Sequence, residues 1–467
     1  MRAALLLACS GPTGTHEGCC HVLYTRRHRT RLLPLPIAWL GIAGLILALA
    51  ASHATAQSPD PPQPPIPPAL LAAEDTLASG RFAAAARAFG AIVADSSVPA
   101  PLRARAARGM TVAHDCRGEI GAEIAAMAQA VAADPAYPGN PALVDQMGNA
   151  IVSDGPPPDV DDLLAMLDVA ATQAKALRAN VIQLHVLKLN IEGRFADARD
   201  RAAELQRVTD FVAGGPFDNG GGAGIDEIYP PERGVRLDET MQDRHGRPIH
   251  WMHVPAYNGS AHLDVYFDDE PDAVGYVATA VKAPGPGPAV LCLNGSGAFR
   301  LWLNGELVLD EHEVRSGSPG LYEIPVELVA GWNQILVKAA AETENLILAL
   351  RATDPMGDPL PLECSSTQPA LSSAPVKTTA AGTTIPRGLE RFPADGWFRR
   401  WSRGMANAPD ADRYLYVDAL LARDFLDEAE AAIAAAADAG SGSPSHGQAI
   451  IESMRSSLLI TRGDRIE

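Results

Sequence analysis

One stretch constrains the fold of this 467-residue chain more than any other: Phe299-Arg300-Leu301-Trp302-Leu303-Asn304-Gly305-Glu306-Leu307-Val308-Leu309. Asn-Gly is the dipeptide best able to hold the two positive φ angles of a type I′ turn, and apolar residues alternate into it at Phe299, Leu301 and Leu303. The pattern predicts a β-hairpin with a two-residue turn and one apolar face. Such a face needs a second sheet to cover it. Alternation of the same kind runs through Leu263, Val265 and Phe267; Val274, Tyr276 and Ala278; Leu291 and Leu293; Ile324, Val326 and Leu328; Ile335 and Val337; and Leu346, Leu348 and Leu350. Roughly seven or more strands separated by turn signals predict an antiparallel β-sandwich or jelly roll over residues 211–362.

Residues 69–210 differ sharply. They are alanine-rich with helical spacing, and Gly, Pro and Asp breakers mark off eight segments, among them Leu70 to Ser79, Ala83 to Ala94, Leu102 to His114, Ile120 to Ala133, Asp161 to Ala174 and Asn180 to Glu192. Gly80-Arg81-Phe82-Ala83-Ala84-Ala85 nearly recurs as Gly193-Arg194-Phe195-Ala196-Asp197-Ala198. Each resembles the turn and second-helix start of a tetratricopeptide (TPR) repeat: glycine lets the chain reverse, the aromatic fills the gap between helices, and alanine lets their axes approach. Phe89 falls where that family places its next aromatic, whereas Ala202 occupies the position in the later copy. A generic array of helical hairpins is the alternative.

The start of the chain looks like export machinery. Arg26, Arg27, Arg29 and Arg31 form a basic region, Ile37 to Ala51 is a short apolar core, and Ala54-Thr55-Ala56 is a small-x-small cleavage site, so residues 1–56 read as leader and signal peptide with a mature start at Gln57. The rival is an uncleaved inner-membrane anchor over residues 32–51, against which stands an apolar run shorter than the ~20 residues a spanning helix needs. Residues 57–68 are proline-rich and predict a semi-rigid linker. Without the first 56 residues the chain keeps 33 basic and 55 acidic side chains, a charge of −22. Such a polyanion repels phosphate backbones and anionic lipid, which argues against nucleic acid as a partner. Cys116, Cys292 and Cys364 remain and allow at most one bridge; Cys292, in the apolar run Val290 to Leu293, is expected to pack as a small hydrophobe.

After a predicted linker over 363–412, helical spacing returns at Tyr414 to Leu421 and Leu426 to Ala437, then at Gly447 to Arg462 with an apolar stripe at Ile451, Met454 and Leu458. Residues 413–467 therefore read as short C-terminal TPR-like hairpins. The last helix lacks a following partner in the sequence, so its stripe is expected to face water and the reading frame to be a piece of a longer protein. The fold class expected is multidomain α and β: helical repeat, antiparallel sandwich, short C-terminal hairpins.

The order Leu301-Trp302-Leu303-Asn304-Gly305-Glu306, Pro325-Val326-Glu327-Leu328 and Gly331-Trp332-Asn333-Gln334-Ile335-Leu336-Val337-Lys338 resembles the second half of a galactose-binding-like β-sandwich, as in the sugar-binding-type domain of family 2 glycoside hydrolases. Gly215-Pro216-Phe217-Asp218-Asn219 with Tyr229-Pro230-Pro231-Glu232 makes the whole similar to exported bacterial proteins that carry tetratricopeptide helices, this sandwich and often a transglutaminase-like domain downstream. The resemblance implies a fold and a periplasmic or cell-envelope setting. No Cys, His and Asp motif of a transglutaminase is present to carry over. Asn304, Gly305, Gly331 and Asn333 in the sandwich, and Gly80, Phe82, Gly193 and Phe195 in the helices, are its structural positions in this sequence.

Candidate ligand groups are few. His245, His250, His253 and His262 crowd together, but His250 and His253 face opposite sides of a strand, and metal ligation at that spacing belongs on a helix. Asp268, Asp269, Glu270 and Asp272 form an acidic run that reads either as a calcium loop or as a solvated turn. Trp302 points away from Leu301 and Leu303; with Trp251, Tyr257, Tyr276 and Tyr322 it is a candidate ring platform for a sugar, unless other elements cover it. The expected function is a non-catalytic interaction protein, binding protein through the helices and glycan through the sandwich. The alternative is an accessory part of a transglutaminase-like or glycan-active enzyme whose catalytic domain lies elsewhere.

Overall fold

The computed structural model describes residues 65–267, 272–315, 322–341, 346–373, 401–405, 408–439 and 448–461. The leader, the signal region and most of the proline-rich stretch lie outside the described residues. Eight α-helices come first: α1 Pro68–Ala78, α2 Phe82–Ala94, α3 Ala100–Asp115, α4 Ile120–Ala133, α5 Asn140–Asp154, α6 Val160–Gln173, α7 Arg178–Ile191 and α8 Phe195–Ala203. Gly80 and Gly193 both hold φ of 73° at the α1–α2 and α7–α8 turns, where a side chain would be strained. Phe89 is fully buried, as are Ala85 on α2 and Ala198 on α8.

The strands follow as β1 Asp210–Asp218, β2 Met241–Gln242, β3 Pro248–Ile249, β4 Met252–Pro255, β5 Ser260–His262, β6 Ala273–Ala283, β7 Gly287–Gly295, β8 Gly297–Leu303, β9 Glu306–Arg315, β10 Tyr322–Leu328, β11 Gly331–Ala341, β12 Ile347–Thr353 and β13 Glu363–Ser365. Residues 263–267 depart from the expected strand: Leu263–Tyr266 is a single helical turn, α9, with Leu263 and Phe267 buried and Val265 69% exposed. Spacing alone does not separate a strand from one helical turn in so short a run.

One sheet has the order β4-β1-β6-β11-β8-β9, with β13 also paired to β6; a second has the order β10-β7-β12-β5; β2 and β3 pair separately, and every pairing is antiparallel. Alternation decides which side chains meet between the sheets. Val277 and Val281 of β6, Phe299, Leu301 and Leu303 of β8, and Ile335 and Val337 of β11 share the inner core with Leu291, Leu293, Ile324 and Leu350 of the second sheet. At the hairpin turn Asn304 and Gly305 both have positive φ, 52° and 78°. Asn304 accepts from the Gln334 N–H at 2.9 Å and donates to Asn333 Oδ1 at 3.0 Å, while buried Asn333 bonds Val329 and Gly331 across the neighbouring turn, where Gly331 has φ 86°. Two asparagines thus lock adjacent turns together.

The other face of the larger sheet is covered too. Tyr276, Ala278, Leu336 and Trp302 pack beneath Phe217, Ile225, Val235 and Met241, with Ala370 and Leu371 of α10 (Gln368–Ser373) closing over them. The residues between β1 and β4 therefore fold back as a blanket. Their Gly-Pro-Phe-Asp-Asn and Tyr-Pro-Pro-Glu motifs supply the stitches. Asn219 bonds the Ala341 carbonyl and the Gly224 N–H, Tyr229 stacks on Phe217 at 4.7 Å, and Glu232 accepts from Tyr276 and from Lys338. Lys338 is fully enclosed, and burial lowers its pKa.

The C-terminal helices α11 Asp410–Leu421, α12 Leu426–Ala439 and α13 Gln448–Thr461 return to the N-terminal helices. Arg108 of α3 grips Asp412 of α11 with two hydrogen bonds, 2.7 and 3.2 Å, both residues being buried, and lies 3.8 Å over the Tyr137 ring. Trp401, from the stretch expected as linker, donates to the Tyr137 hydroxyl at 2.8 Å; Tyr414 donates to Asp115, and Arg423 to Asp145. Asp424, φ 60°, stands in this turn where the earlier turns use glycine. The apolar stripe expected to face water does not: Met454 and Leu458 are 2% and 7% exposed and join the core against α11, α12 and α1. The helical array is thus made of helices that precede and follow the sandwich in the chain.

Candidate functional site

Of the five rings expected as a platform, two are buried and two are partly buried. Tyr276 is 0% exposed in the covered outer face, Tyr322 is 2% exposed in the inner core edge-on to Phe299, and Trp302 and Trp251 pack, partly buried, against the outer-face cluster. Period-two alternation places Trp302 away from the inner core, and there it joins the edge of the outer-face cluster, partly buried. Tyr257 alone stands open, at 59%. Phe195, expected to fill a gap between helices, is also 59% exposed. Among the described residues these are the two aromatic side chains that stand mostly exposed.

Both line one groove of about 560 Å³, between α8 and the β4–β5 turn, whose walls include Arg199, Gln206, Arg207 and Asn258. Its origin lies in how the array ends. After α2 the chain continues into α3, and Phe82 packs against the core; after α8 it leaves for β1, and no further hairpin covers Phe195. The inward face of α8 is only Ala198 and Ala202, packed on Ala179, Ile182 and Val186 of α7, so Phe195 overhangs at the first residue of the helix. Opposite, Asn258 and Gly259 turn the chain with φ of 50° and 77°, and Tyr257 and Ser260 exchange backbone hydrogen bonds at 2.9 Å. A Cβ on Gly259 would stand 2.6 Å from Arg207 Cδ, so the missing side chain admits that arginine. Arg207 donates to the Asn258 carbonyl at 2.9 Å and to Gln183 Oε1 at 2.8 Å.

Beside the groove, Asp210 ties β1 to the segment after β13. It accepts from the Ser366 N–H at 2.9 Å, the Ser366 hydroxyl at 2.6 Å and His253 at 3.0 Å. Burial alone would raise its pKa, but these hydrogen bonds outweigh burial and the carboxyl is lowered. A second cavity, about 230 Å³, is lined among others by Asp145, which accepts from Arg423 and Asn180, and by Gln146 and Asn294, whose side-chain oxygens have no hydrogen-bond partner among the described residues.

Among the described residues no group of three or more His, Cys, Asp or Glu side chains is placed to hold a metal. His253 pairs with Asp210, and His262 lies 3.8 Å from Asp264. Asp268, Asp269 and Glu270 lie outside the described residues, while Asp272 has φ 50° and its carbonyl accepts from Asn219 and Arg244. Cys292 is buried, and Cys116 and Cys364 are partly buried free thiols. No helix among the described residues is long and apolar enough to cross a membrane.

In the sequence Tyr257 is one ring of several and Phe195 reads as filler between helices. The available signal was that the later Gly-Arg-Phe copy is the last before the composition changes, so its aromatic has no next repeat to cover it.

No protein-family model matches the chain, and no curated protein matches it. Among solved structures, the chain is similar to a selenomethionine-labelled β-glucosidase from Kluyveromyces marxianus at 15% identity, covering 31% of this chain and 16% of that one with a TM-score of 0.21. The β-glucosidase from Kluyveromyces marxianus in complex with glucose gives 17% identity, 31% and 15% coverage and a TM-score of 0.20. An anti-sigma factor domain-containing protein from Clostridium clariflavum gives 12% identity, 38% and 51% coverage and a TM-score of 0.22. These likenesses are too slight to bear on function.

Proposed function

We propose that the chain is an exported, non-catalytic interaction protein of the bacterial cell envelope that holds a cell-wall glycan or a protein partner in the groove between Phe195 and Tyr257. The observation that carries this reading is that the two mostly exposed aromatic side chains among the described residues, one from the helical array and one from the sandwich, line a single concavity. Exposed rings are costly to keep in water and effective as binding anchors, since tyrosine is enriched among the residues that dominate binding energy. Their flat faces accept the polarised C–H groups of a sugar as well as apolar side chains. The net charge of −22 after the leader turns the chain away from nucleic acid and anionic membrane surfaces.

A glycan array probed with the full chain and with a Phe195→Ala/Tyr257→Ala variant tests it. Binding by the wild type that falls at least about tenfold in the variant is the expected outcome. Hits that ignore both substitutions, or a blank array together with no envelope-protein partner whose binding depends on the two rings, would overturn it.

A further inference from the structure

We propose that the groove selects a saccharide bearing a carboxylate, with the sugar ring against Phe195 or Tyr257 and the carboxylate toward Arg199 and Arg207; this rests on the binding reading above. The first support is charge. Acidic side chains outnumber basic ones in the chain by 56 to 38, yet the groove lining holds two arginines and no Asp or Glu.

The second support is the state of Arg207. Its hydrogen-bond acceptors are a backbone carbonyl and an amide oxygen, both neutral. Its bridge partner on β12 is Arg351, another cation, and among the described residues neither arginine forms an ion pair with a carboxylate. Burial first, and then the Arg351 charge, lower Arg207 to about 10, so it stays cationic at neutral pH without a counter-charge. Arg199 stands at the rim, 71% exposed and only loosely paired with Asp200 at 3.4 Å. An arriving carboxylate would supply the missing anion through charge-assisted hydrogen bonds.

The third support separates saccharide from peptide. Extended peptides bind by adding to an unpaired strand edge. Here the Tyr257 N–H is taken by Ser260, the Gln206 N–H by Ala203 and the Asn258 carbonyl by Arg207. What the groove presents is rings, small residues such as Ala196, Ala203 and Ala256, and long polar side chains. The net negative charge of the whole chain does not forbid a short acidic oligosaccharide, because fields beyond about 8 Å are screened at physiological salt.

Isothermal titration of the full chain with trigalacturonate, neutral maltotriose and a tetraglutamate peptide is the test. Trigalacturonate should bind at least about tenfold tighter than maltotriose, and Arg199→Glu should reduce the ratio of the two affinities at least about tenfold. Arg199 is exposed, so this variant keeps its fold, which circular dichroism checks; Tyr257→Ala should weaken both sugars. Equal affinity for the two sugars, with both lost in Tyr257→Ala, would overturn the charge selection and leave the groove reading standing. Tighter binding of tetraglutamate, or no binding of either sugar by the folded chain, would overturn the inference; the groove reading falls only if its own array test also fails.

Discussion

Asn304 and Gly305 were legible because their chemistry is local. No tertiary partner is needed to know that this dipeptide accepts two positive φ values, and the structure has both. Gly305→Val places a β-branched side chain at φ 78° and is expected to cost roughly 1 to 3 kcal/mol, read as a lower melting temperature; an unchanged midpoint would contradict the turn. Phe195 and Tyr257 were not legible in the same way. Exposure is a property of what fails to cover a residue, and for these two it depends on where the helical array gives way to a strand and on a turn some sixty residues downstream. Trp302 is the converse: alternation gives its direction, and its partial burial against the outer-face cluster depends on residues distant in sequence.

At the level of elements, periodicity carried most of the reading. All eight N-terminal helices and the central hairpin follow from spacing and breakers. The failures have two causes, runs too short for their spacing to decide and long-range packing. The single turn of α9 stands where alternation suggests a strand, and α13 buries the stripe that its own neighbours in sequence could not cover. Arg108 and Asp412, 304 positions apart, form the buried pair that seats α11 on α3. Removing one member leaves the other charge buried and uncompensated, which typically costs about 3 to 5 kcal/mol. Asp412→Ala is therefore expected to destabilise the chain by about that much and to speed hydrogen exchange in α11 and α3 together. Loss confined to α11 would show that the C-terminal helices are an appendage.

For the whole molecule, the helical array takes helices from before and after the sandwich in the chain, and the described connection between helices and sandwich runs beside α8. The Arg207 to Asp210 segment crosses from helix to sheet there, and Arg207 reaches both Gln183 of α7 and the β4–β5 turn. A groove whose walls belong to two architectures is positioned by that crossing, and neither part would present both rings alone. The most direct test is hydrogen exchange on the full chain, with and without a saccharide that it binds on the array. Slowed exchange confined to residues 195–209 and 256–260 is the predicted result. Protection over the 219–249 blanket and the strand that carries Trp302, with 195–209 unchanged, would contradict the assignment of the binding site.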